Sequence, residues 1–188
     1  MSSHDDLEEV RRRALDDPDI PDGLRRALAA GLALETIHLD ARGRWSHEGE
    51  RFVNRRLSAL FHRSVVRTSA GTWLLSIPPY TYPITVEDCG WFVVRVHSDA
   101  ATDGLHAELA GGELVRLPTG GWWTDGGERV LVQLADGRRC RLVDDAWRWV
   151  GTALDGGEPA WVLRTGLTWD VHPLLSTGHD PGAVLGSE

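Results

Sequence analysis

Arginine is the residue with the most evident chemical role in this sequence, and it is concentrated between positions 42 and 67. That segment holds seven arginines and two glutamates, a local net charge of +5. Arg55 and Arg56 stand in the first turn of a predicted helix, where free N–H groups and the helix dipole favour an anion. Arg67 lies on the strand predicted next. We therefore predict a site for a small anionic ligand at these arginines. The alternative is that the basic segment packs against the acidic second half of the chain.

Tryptophan is the second informative residue type, with nine copies against three phenylalanines and two tyrosines. An indole combines a large apolar ring with one polar N–H, so it serves either a core or a groove for a planar ligand. We expect Trp91 or Trp147 to pack against the ring of the ligand. The Trp122–Trp123 pair supports an alternative, in which exposed tryptophan-rich β edges bind a protein partner.

Paired acidic residues offer a third chemistry. The pairs Glu87–Asp88 and Asp144–Asp145 could divide general acid and base roles if burial separated their pKa values, so a hydrolase using Asp88 or Asp144 is a further hypothesis. Both pairs fall in predicted turns, where aspartate commonly bonds its own backbone, and we favour that interpretation. The sequence contains no nucleophile elbow, P-loop, dinucleotide-binding or zinc-protease motif. We expect no catalytic residue and no cofactor.

Metal and redox sites are not expected either. Cys89 and Cys140 lack the CxxC spacing of a zinc or thioredoxin-type site, so they are predicted to be buried free thiols unless the fold brings them together. His38 and His47 are the best candidate metal pair, on one predicted hairpin. Alternation along a strand points these two side chains in opposite directions, which argues against a metal site.

The overall composition limits the classes of function. The chain of 188 residues carries 20 basic residues, all arginine, and 28 acidic residues, which gives a net charge of −8. A protein this acidic lacks the positive field that nucleic acids and anionic membranes require, so we expect neither as a partner. The longest apolar run, residues 27–34, is too short to span a bilayer. The acidic start, without a basic and apolar leader, predicts a cytoplasmic protein.

Hydrophobic periodicity divides the chain into segments. Apolar residues recur at helical spacing in residues 3–16 and again after Asp22, a candidate N-cap, and then alternate with a period of two. Asn54 is the predicted cap of a third, short helix. Short strands and glycine turns fill the second half, including a hairpin at Asp136–Gly137 and a strand at Trp147–Val150. The predicted α+β fold has an N-terminal helical segment (1–34), a first α+β unit (35–100), a second, mostly β unit (101–175) and a flexible tail (176–188).

An internal repeat links the two predicted units. The segment IHLDARGRWSHEGER (37–51) aligns without gaps to VRLPTGGWWTDGGER (115–129). Six positions are identical: Leu39, Gly43, Trp45, Gly49, Glu50 and Arg51 match Leu117, Gly121, Trp123, Gly127, Glu128 and Arg129. Chance recurrence of glycine turns around a tryptophan strand is one explanation, and the collinear order favours duplication. Two related units would pack face to face, and their interface would be a natural cleft.

Residues 37–94 also carry a pattern known from other proteins. It consists of the strand–turn–strand IHLDARGRWSHEG, the helix RRLSALFHR, the strand LLSIPPYTYPI and the turn VEDCGW. This pattern resembles a bacterial family, domain of unknown function 1285. The resemblance implies two related α+β units, the second a mostly antiparallel sheet similar to a pleckstrin-homology barrel. It also implies a ligand site between the units, a nucleotide-like ligand and a role in signalling.

The residues and the resemblance together predict a non-catalytic ligand-binding or regulatory module. In this hypothesis Arg55, Arg56 and Arg67 hold a small anionic ligand between the two units, and Trp91 or Trp147 packs its ring. The alternative hypothesis is a protein-interaction adaptor with a tryptophan-rich β surface.

Overall fold

Helices and strands are mixed in the first half of the chain, whereas the second half is mostly strand. The computed structural model describes residues 3–99, 104–118, 120–124, 130–157, 160–163 and 168–173. The helices are α1 (Ser3–Asp16), α2 (Asp22–Ala29), α3 (Arg55–Ser64) and α4 (Asp144–Ala153). The strands of the first half are β1 (Ile37–Leu39), β2 (Trp45–His47), β3 (Glu50–Arg51), β4 (Val65–Arg67), β5 (Trp73–Ile77), β6 (Tyr80–Pro83), β7 (Thr85–Val86) and β8 (Trp91–Asp99). The later strands are β9 (Gly104–Leu109), β10 (Leu114–Arg116), β11 (Trp122–Thr124), β12 (Val130–Gln133), β13 (Arg139–Leu142), β14 (Leu154–Gly157), β15 (Ala160–Leu163) and β16 (Thr168–Pro173).

The strands form three sheets. A four-stranded sheet has the order β3-β2-β1-β7, and a three-stranded sheet has the order β4-β5-β6. The large sheet has nine strands in the order β10-β9-β8-β13-β12-β11-β16-β15-β14. The α+β class predicted from the sequence is therefore confirmed. The barrel-like form implied for the second unit is not a closed barrel: over the described residues, β10 and β14 are the edges of the large sheet. The likeness to a pleckstrin-homology domain stays a prediction.

The first three helices lie where hydrophobic periodicity predicts them. Helix α2 buries Leu24 and Leu28, which are one turn apart on the same face. Asp22 is the first residue of this helix and not its cap, because Pro21 occupies the N-cap position. Helix α3 is capped as predicted: the Asn54 side chain accepts hydrogen bonds from the backbone N–H groups of Arg56 and Leu57.

Strand β8 joins the two halves of the molecule. The first half contains α1–α3 and β1–β7, and the second half contains β9–β16 and α4. Its residues fall in the predicted first unit, yet the strand pairs with β9 and β13 in the large sheet. Phe92 is buried in the core of the first half, with Leu39, Trp45 and Leu75. Val93, the next residue, is buried in the core of the second half. This follows from the alternation of side chains along a strand.

The sequence repeat does not correspond to a repeated hairpin. Strands β1 and β2 pair with each other, with Leu39 opposite Trp45. The strands at the matching positions of the second segment, β10 and β11, lie in the same sheet but are separated by β9, β8, β13 and β12. A short sequence similarity specifies the turn and strand propensities of a segment, but pairing partners depend on the rest of the sheet.

The predicted strand at Trp147–Val150 is wrong, because these residues belong to helix α4. Asp144 and Asp145 occupy its first turn, where negative charge complements the helix dipole. Ala146 and Val150, four residues apart, are both buried against the large sheet. Helical spacing therefore separates Trp147 from Trp149, which a strand would have placed on one face.

The predicted flexible tail, residues 176–188, lies outside the described residues. Among the described residues, no helix is long and apolar enough to cross a lipid bilayer.

The N-terminal helices are attached to the first half through a buried carboxylate. Asp17 is 2% exposed and accepts hydrogen bonds from the Thr68 hydroxyl and from the backbone N–H of Asp19, the latter at 2.8 Å. Burial by itself raises the pKa of the Asp17 carboxyl, but these hydrogen bonds and the charge of Arg25 outweigh it and hold the pKa below its ordinary value. Arg25 also donates to the carbonyl oxygens of Leu15 and Asp17, at 2.8 and 2.7 Å.

We predict that Asp17→Ala lowers the free energy of unfolding by about 1–3 kcal/mol, because two partly buried hydrogen bonds lose their acceptor. Asp16→Ala, at the exposed neighbouring position, is the control and should change it by less than about 0.5 kcal/mol. Urea titration measures both values. Because the pKa of Asp17 is lowered in the folded state, the difference between wild type and Asp17→Ala should shrink as the pH falls below about 4. Equal stability of the two variants at pH 7 would contradict this account.

Candidate functional site

A cavity of about 900 Å³ lies between the two halves of the molecule. One wall comes from the end of α3, strands β4 and β5, and the segment that leads into β8. The opposite wall comes from the β9–β10 turn and the β12–β13 hairpin. The lining side chains that carry rings or charges are His62, Arg63, Arg67, Trp73, Asp88, Trp91, Phe92, Glu113, Asp136, Arg138 and Arg139. The volume falls in the range of sites that hold small molecules and cofactors.

Two tryptophans form the aromatic part of the wall. Trp73 and Trp91 meet edge to face, with ring centroids 4.9 Å apart and planes at 63°. The guanidinium of Arg67 lies over the Trp73 ring, 5.2 Å from its centroid. Gly90 packs directly against the same ring: a Cβ at this position would lie 2.3 Å from Trp73 Cζ3. The indole of Trp73 is thus held in place by three neighbours.

Acidic and basic groups are combined in the wall, and the acids are paired within the protein. Arg138 forms ion pairs with Glu113 and Asp136, each at 2.7 Å. The hydrogen bond from Arg138 holds the pKa of Glu113 below its ordinary value, and the same carboxylates raise the pKa of Arg138. Asp88 pairs with Arg141. The Arg138–Glu113 pair joins the β9–β10 turn to the β12–β13 hairpin, and the Asp88–Arg141 pair joins the segment before β8 to β13.

The two cysteines are buried free thiols, as predicted. Cys89 lines the cavity, and its Sγ–H lies 2.9 Å from the carbonyl oxygen of Arg139 and 3.2 Å from that of Trp91. Burial raises the pKa of the Cys89 thiol to about 11 and also raises the pKa of Cys140. Both side chains are therefore protonated at neutral pH and are poor nucleophiles.

His62 stands between the large cavity and a smaller cleft of about 260 Å³ on the other side of α3. Its Nε2 lies 3.1 Å from the carbonyl oxygen of Gly43, and its Nδ1 is buried with no hydrogen-bond partner among the described residues. Burial lowers the pKa of His62 from 6.5 to about 4, so the ring is neutral at pH 7 and Nε2 carries the proton toward Gly43.

The structure brings together some of the predicted site residues and separates others. Arg67 and Trp91 line the large cavity. Arg55 lines the smaller cleft, and Arg56 is exposed and lines neither of these two spaces. Trp147 is partly buried and packs against the core of the second half. The five residues therefore do not form one cluster.

The start of α3 offers less to an anion than the sequence suggested. The N–H groups of Arg56 and Leu57 already donate to Asn54 Oδ1, at 3.0 and 3.2 Å. An anion at this helix terminus would compete with the side-chain cap. The helix start therefore adds little to the binding of a ligand in the large cavity.

Several lining residues were missed by reasoning from the sequence. Trp73 lies on a predicted strand, and Arg138 and Arg139 directly follow the predicted Asp136–Gly137 turn. The sequence assigns these residues to a strand and a turn, but whether they line the same cavity depends on how the two halves pack. The predicted Asp136–Gly137 turn was the one signal in the sequence for Arg138 and Arg139, because residues after a hairpin turn lie at the rim of a sheet.

The positions of two residue types bear on the alternative hypotheses, a hydrolase and a protein-interaction adaptor. Asp88 lines the cavity, whereas Asp144 is exposed in the first turn of α4, so the two carboxylates of the proposed hydrolase do not share this cavity. Trp122, the centre of the proposed adaptor surface, is 1% exposed and donates from Nε1 to the carbonyl oxygen of Pro118. Where side chains are described, every tryptophan is at least partly buried.

The described histidines and acids do not form a metal site. No group of three or more His, Cys, Asp or Glu side chains in the described part of the chain is arranged to hold a metal ion. His38 lies 3.9 Å from Glu87, and His47 lies 2.9 Å from Glu35, so each is next to its own carboxylate.

Comparison with solved structures relates this architecture to other proteins. The chain is similar to the crystal structure of a DUF1285 family protein from Silicibacter pomeroyi DSS-3, with a TM-score of 0.58 and 14% identity over 73% of this chain and 79% of that chain. This chain has the DUF1285 fold. The resemblance seen in residues 37–94 is thus supported by the three-dimensional structure. A DUF1285 family protein from Shewanella baltica OS155 is also similar, with a TM-score of 0.49 and 17% identity over 62% of this chain and 91% of that chain. Among family models and curated proteins, none matches the sequence.

Gly90 lies at the aromatic wall, and we predict that Gly90→Ala lowers the free energy of unfolding by about 1–3 kcal/mol. The added methyl group would lie 2.3 Å from the Trp73 ring, which is a rigid group held by its neighbours. Gly23→Ala is the matched control, because nothing lies within 4 Å of a Cβ there. Its stability should be unchanged or slightly raised, since alanine favours a helix over glycine. Urea unfolding of both variants tests the prediction, and equal stabilities would show that Trp73 moves freely.

We predict that the buried His62 makes the protein sensitive to acid. The pKa of His62 is lowered in the folded state, so the unfolded state binds its proton first and stability falls as the pH drops from 6.5 toward 4. The loss attributable to His62 is roughly 3 kcal/mol by pH 4. Unfolding free energies of wild type and His62→Phe are measured at several pH values, and that of the wild type should fall relative to that of the variant as the pH drops from 6.5 toward 4, because phenylalanine takes up no proton. Parallel profiles would contradict the assignment.

Proposed function

We propose that this protein is a non-catalytic binding module that holds a small anionic ligand with a planar ring in the large cavity between its two halves. The observation that carries the proposal is the composition of the cavity wall. An aromatic pair, Trp73 and Trp91, stands beside Arg67 in a space of about 900 Å³. A ring packs against indoles, and a guanidinium binds phosphate or carboxylate oxygens in pairs.

The charges of the wall support an anion over a cation. Four arginines and three acidic residues line the cavity. Each of the three carboxylates, those of Asp88, Glu113 and Asp136, already has an arginine partner within the protein. A cationic ligand would have to break one of these pairs. An anionic ligand adds its charge to a wall whose own negative charge is compensated.

A nucleotide combines an anion with a planar ring, so nucleotides are the first class of ligand to test. We further propose that the chain is a distant member of the DUF1285 family, which supports a regulatory role in bacterial signalling rather than a reaction. The two buried cysteines remain thiols, a state that favours the reducing cytoplasm as its location.

We predict that a nucleoside monophosphate raises the melting temperature, whereas neither the corresponding nucleoside nor inorganic phosphate does so at the same concentration. Each of the two controls lacks one half of the proposed contact. Differential scanning fluorimetry measures the shift, and isothermal titration calorimetry measures the dissociation constant. The absence of a shift with every anionic ring compound tested would remove the proposal.

Variants locate the binding. Arg67→Gln should weaken binding about tenfold or more, because a charge-assisted hydrogen bond is lost. Arg56→Gln is the matched control, since this exposed arginine lines neither the cavity nor the cleft, and its affinity should equal that of the wild type. Equal effects of the two substitutions would mean that the anion binds to the general positive charge of the region and not in the cavity.

A further inference from the structure

The smaller cleft is a separate space with its own chemistry. Its volume is about 260 Å³, enough for roughly nine non-hydrogen atoms at about 30 Å³ per water-sized group. Its apolar wall is formed by Phe52, Val53, Ala59, Phe92, Val94, Ala110 and Val143. The cleft is therefore suited to a small apolar body and is too small for the ligand proposed for the large cavity.

A β-bulge shapes the floor of the cleft. Val93 pairs with Leu109 and Arg95 pairs with Glu108, so Val94 is an extra residue in β8 with no partner opposite it in β9. A bulge re-aims the side chain of the extra residue, and here that side chain lines the cleft. The floor is thus part of a paired strand and is fixed by the large sheet.

Two arginines stand at the cleft with no internal role. Arg42 belongs to the turn between β1 and β2, and Arg55 begins α3. Within the described part of the chain, neither guanidinium makes an ion pair or a hydrogen bond. Two other arginines of the same basic segment do have partners: Arg44 pairs with Asp40 at 2.6 Å, and Arg63 donates to the carbonyl oxygen of Gly111 at 3.0 Å.

The backbones that carry these two arginines are held in place. Gly43, next to Arg42, has a φ of 75°, and a Cβ there would lie 3.0 Å from Phe92 Cγ, so the turn is packed against the buried ring. The backbone N–H of Arg42 donates to Asp40 Oδ1 at 2.9 Å. Arg55 directly follows Asn54, whose side chain caps the helix. The backbones of both arginines are therefore held in place beside the same cleft.

The cleft has no negative charge of its own. None of its described lining residues is acidic, in contrast to the three acids of the large cavity. His62, which lines both spaces, is neutral at pH 7 because burial lowers its pKa to about 4. A negative group at the mouth would meet two guanidiniums and no opposing carboxylate.

We propose that this cleft is a second binding site, specific for a small monocarboxylic acid with an apolar body. The carboxylate is held by Arg42 and Arg55, and the apolar body lies against Phe52, Val94 and Val143. The proposal does not depend on the ligand proposed for the large cavity, although His62, Phe92 and Ala110 line both spaces.

The test uses the full chain and four probes: benzoate, phenylacetate, 4-methylpentanoate and the neutral analogue benzamide. Methyl resonances of Ala59, Val94 and Val143, which line only the cleft, report binding there in isotope-labelled protein, and their titration gives dissociation constants. We expect the acids to shift these resonances and benzamide to bind at least about tenfold more weakly, because it lacks the charge that the arginines recognise. Equal binding of benzoate and benzamide would overturn the proposal, as would no shift with any acid.

Substitutions at the mouth complete the test. Arg42→Gln and Arg55→Gln should each weaken benzoate binding about tenfold, whereas Arg51→Gln and Arg56→Gln, which do not line the cleft, should leave it unchanged. Arg67→Gln, at the large cavity, should also leave it unchanged, so a failure of this proposal is distinct from a failure of the proposed function. Similar losses in all the arginine variants would show attraction to general positive charge and would overturn the proposal. So would binding of a peptide with an apolar C-terminal residue at the same methyl groups when no free acid binds.

Discussion

Strand β8 is the element on which the rest of the structure depends, because it serves two cores at once. Phe92 points into the core of the first half and is 1% exposed, and Val93 points into the core of the second half and is 0% exposed. The bulge at Val94 then shifts the alternation, which is why Val96 returns to the second core. Neither core is complete without this strand, so the halves cannot separate without exposing buried apolar surface.

The cavity follows from what stands beside that strand. Trp91, at its beginning, packs against both cores, and Trp73 is fixed between Arg67 and Gly90. The opposite wall carries the ion pairs of Arg138. These charged groups line the cavity together with the aromatic pair.

Arginine performs two different tasks in this fold, and its position in the chain does not reveal which. Arg25 and Arg63 donate to carbonyl oxygens of distant segments, and Arg138 joins two carboxylates. The planar group with five donors suits such bridges. Arg42 and Arg55 have the same chemistry but no described acceptor, and they stand at an apolar cleft. The local excess of positive charge in residues 42–67 is thus divided between structural bridges and the walls of two separate spaces.

The sequence by itself determined the local elements, because these depend on neighbouring residues. Helical spacing in residues 3–16, the cap at Asn54 and the turn at Asp136–Gly137 all specify backbone conformation within a few residues. The prediction from sequence was wrong for α4: Trp147 and Trp149 suggested a strand, but Asp144 and Asp145 before them begin a helix. Only the tertiary structure decided that β10 and β11 do not pair and that Arg67 lies at a different space from Arg55. Strand partners and cavity walls are set by contacts between residues far apart in the chain, and those contacts leave no periodic trace in the sequence.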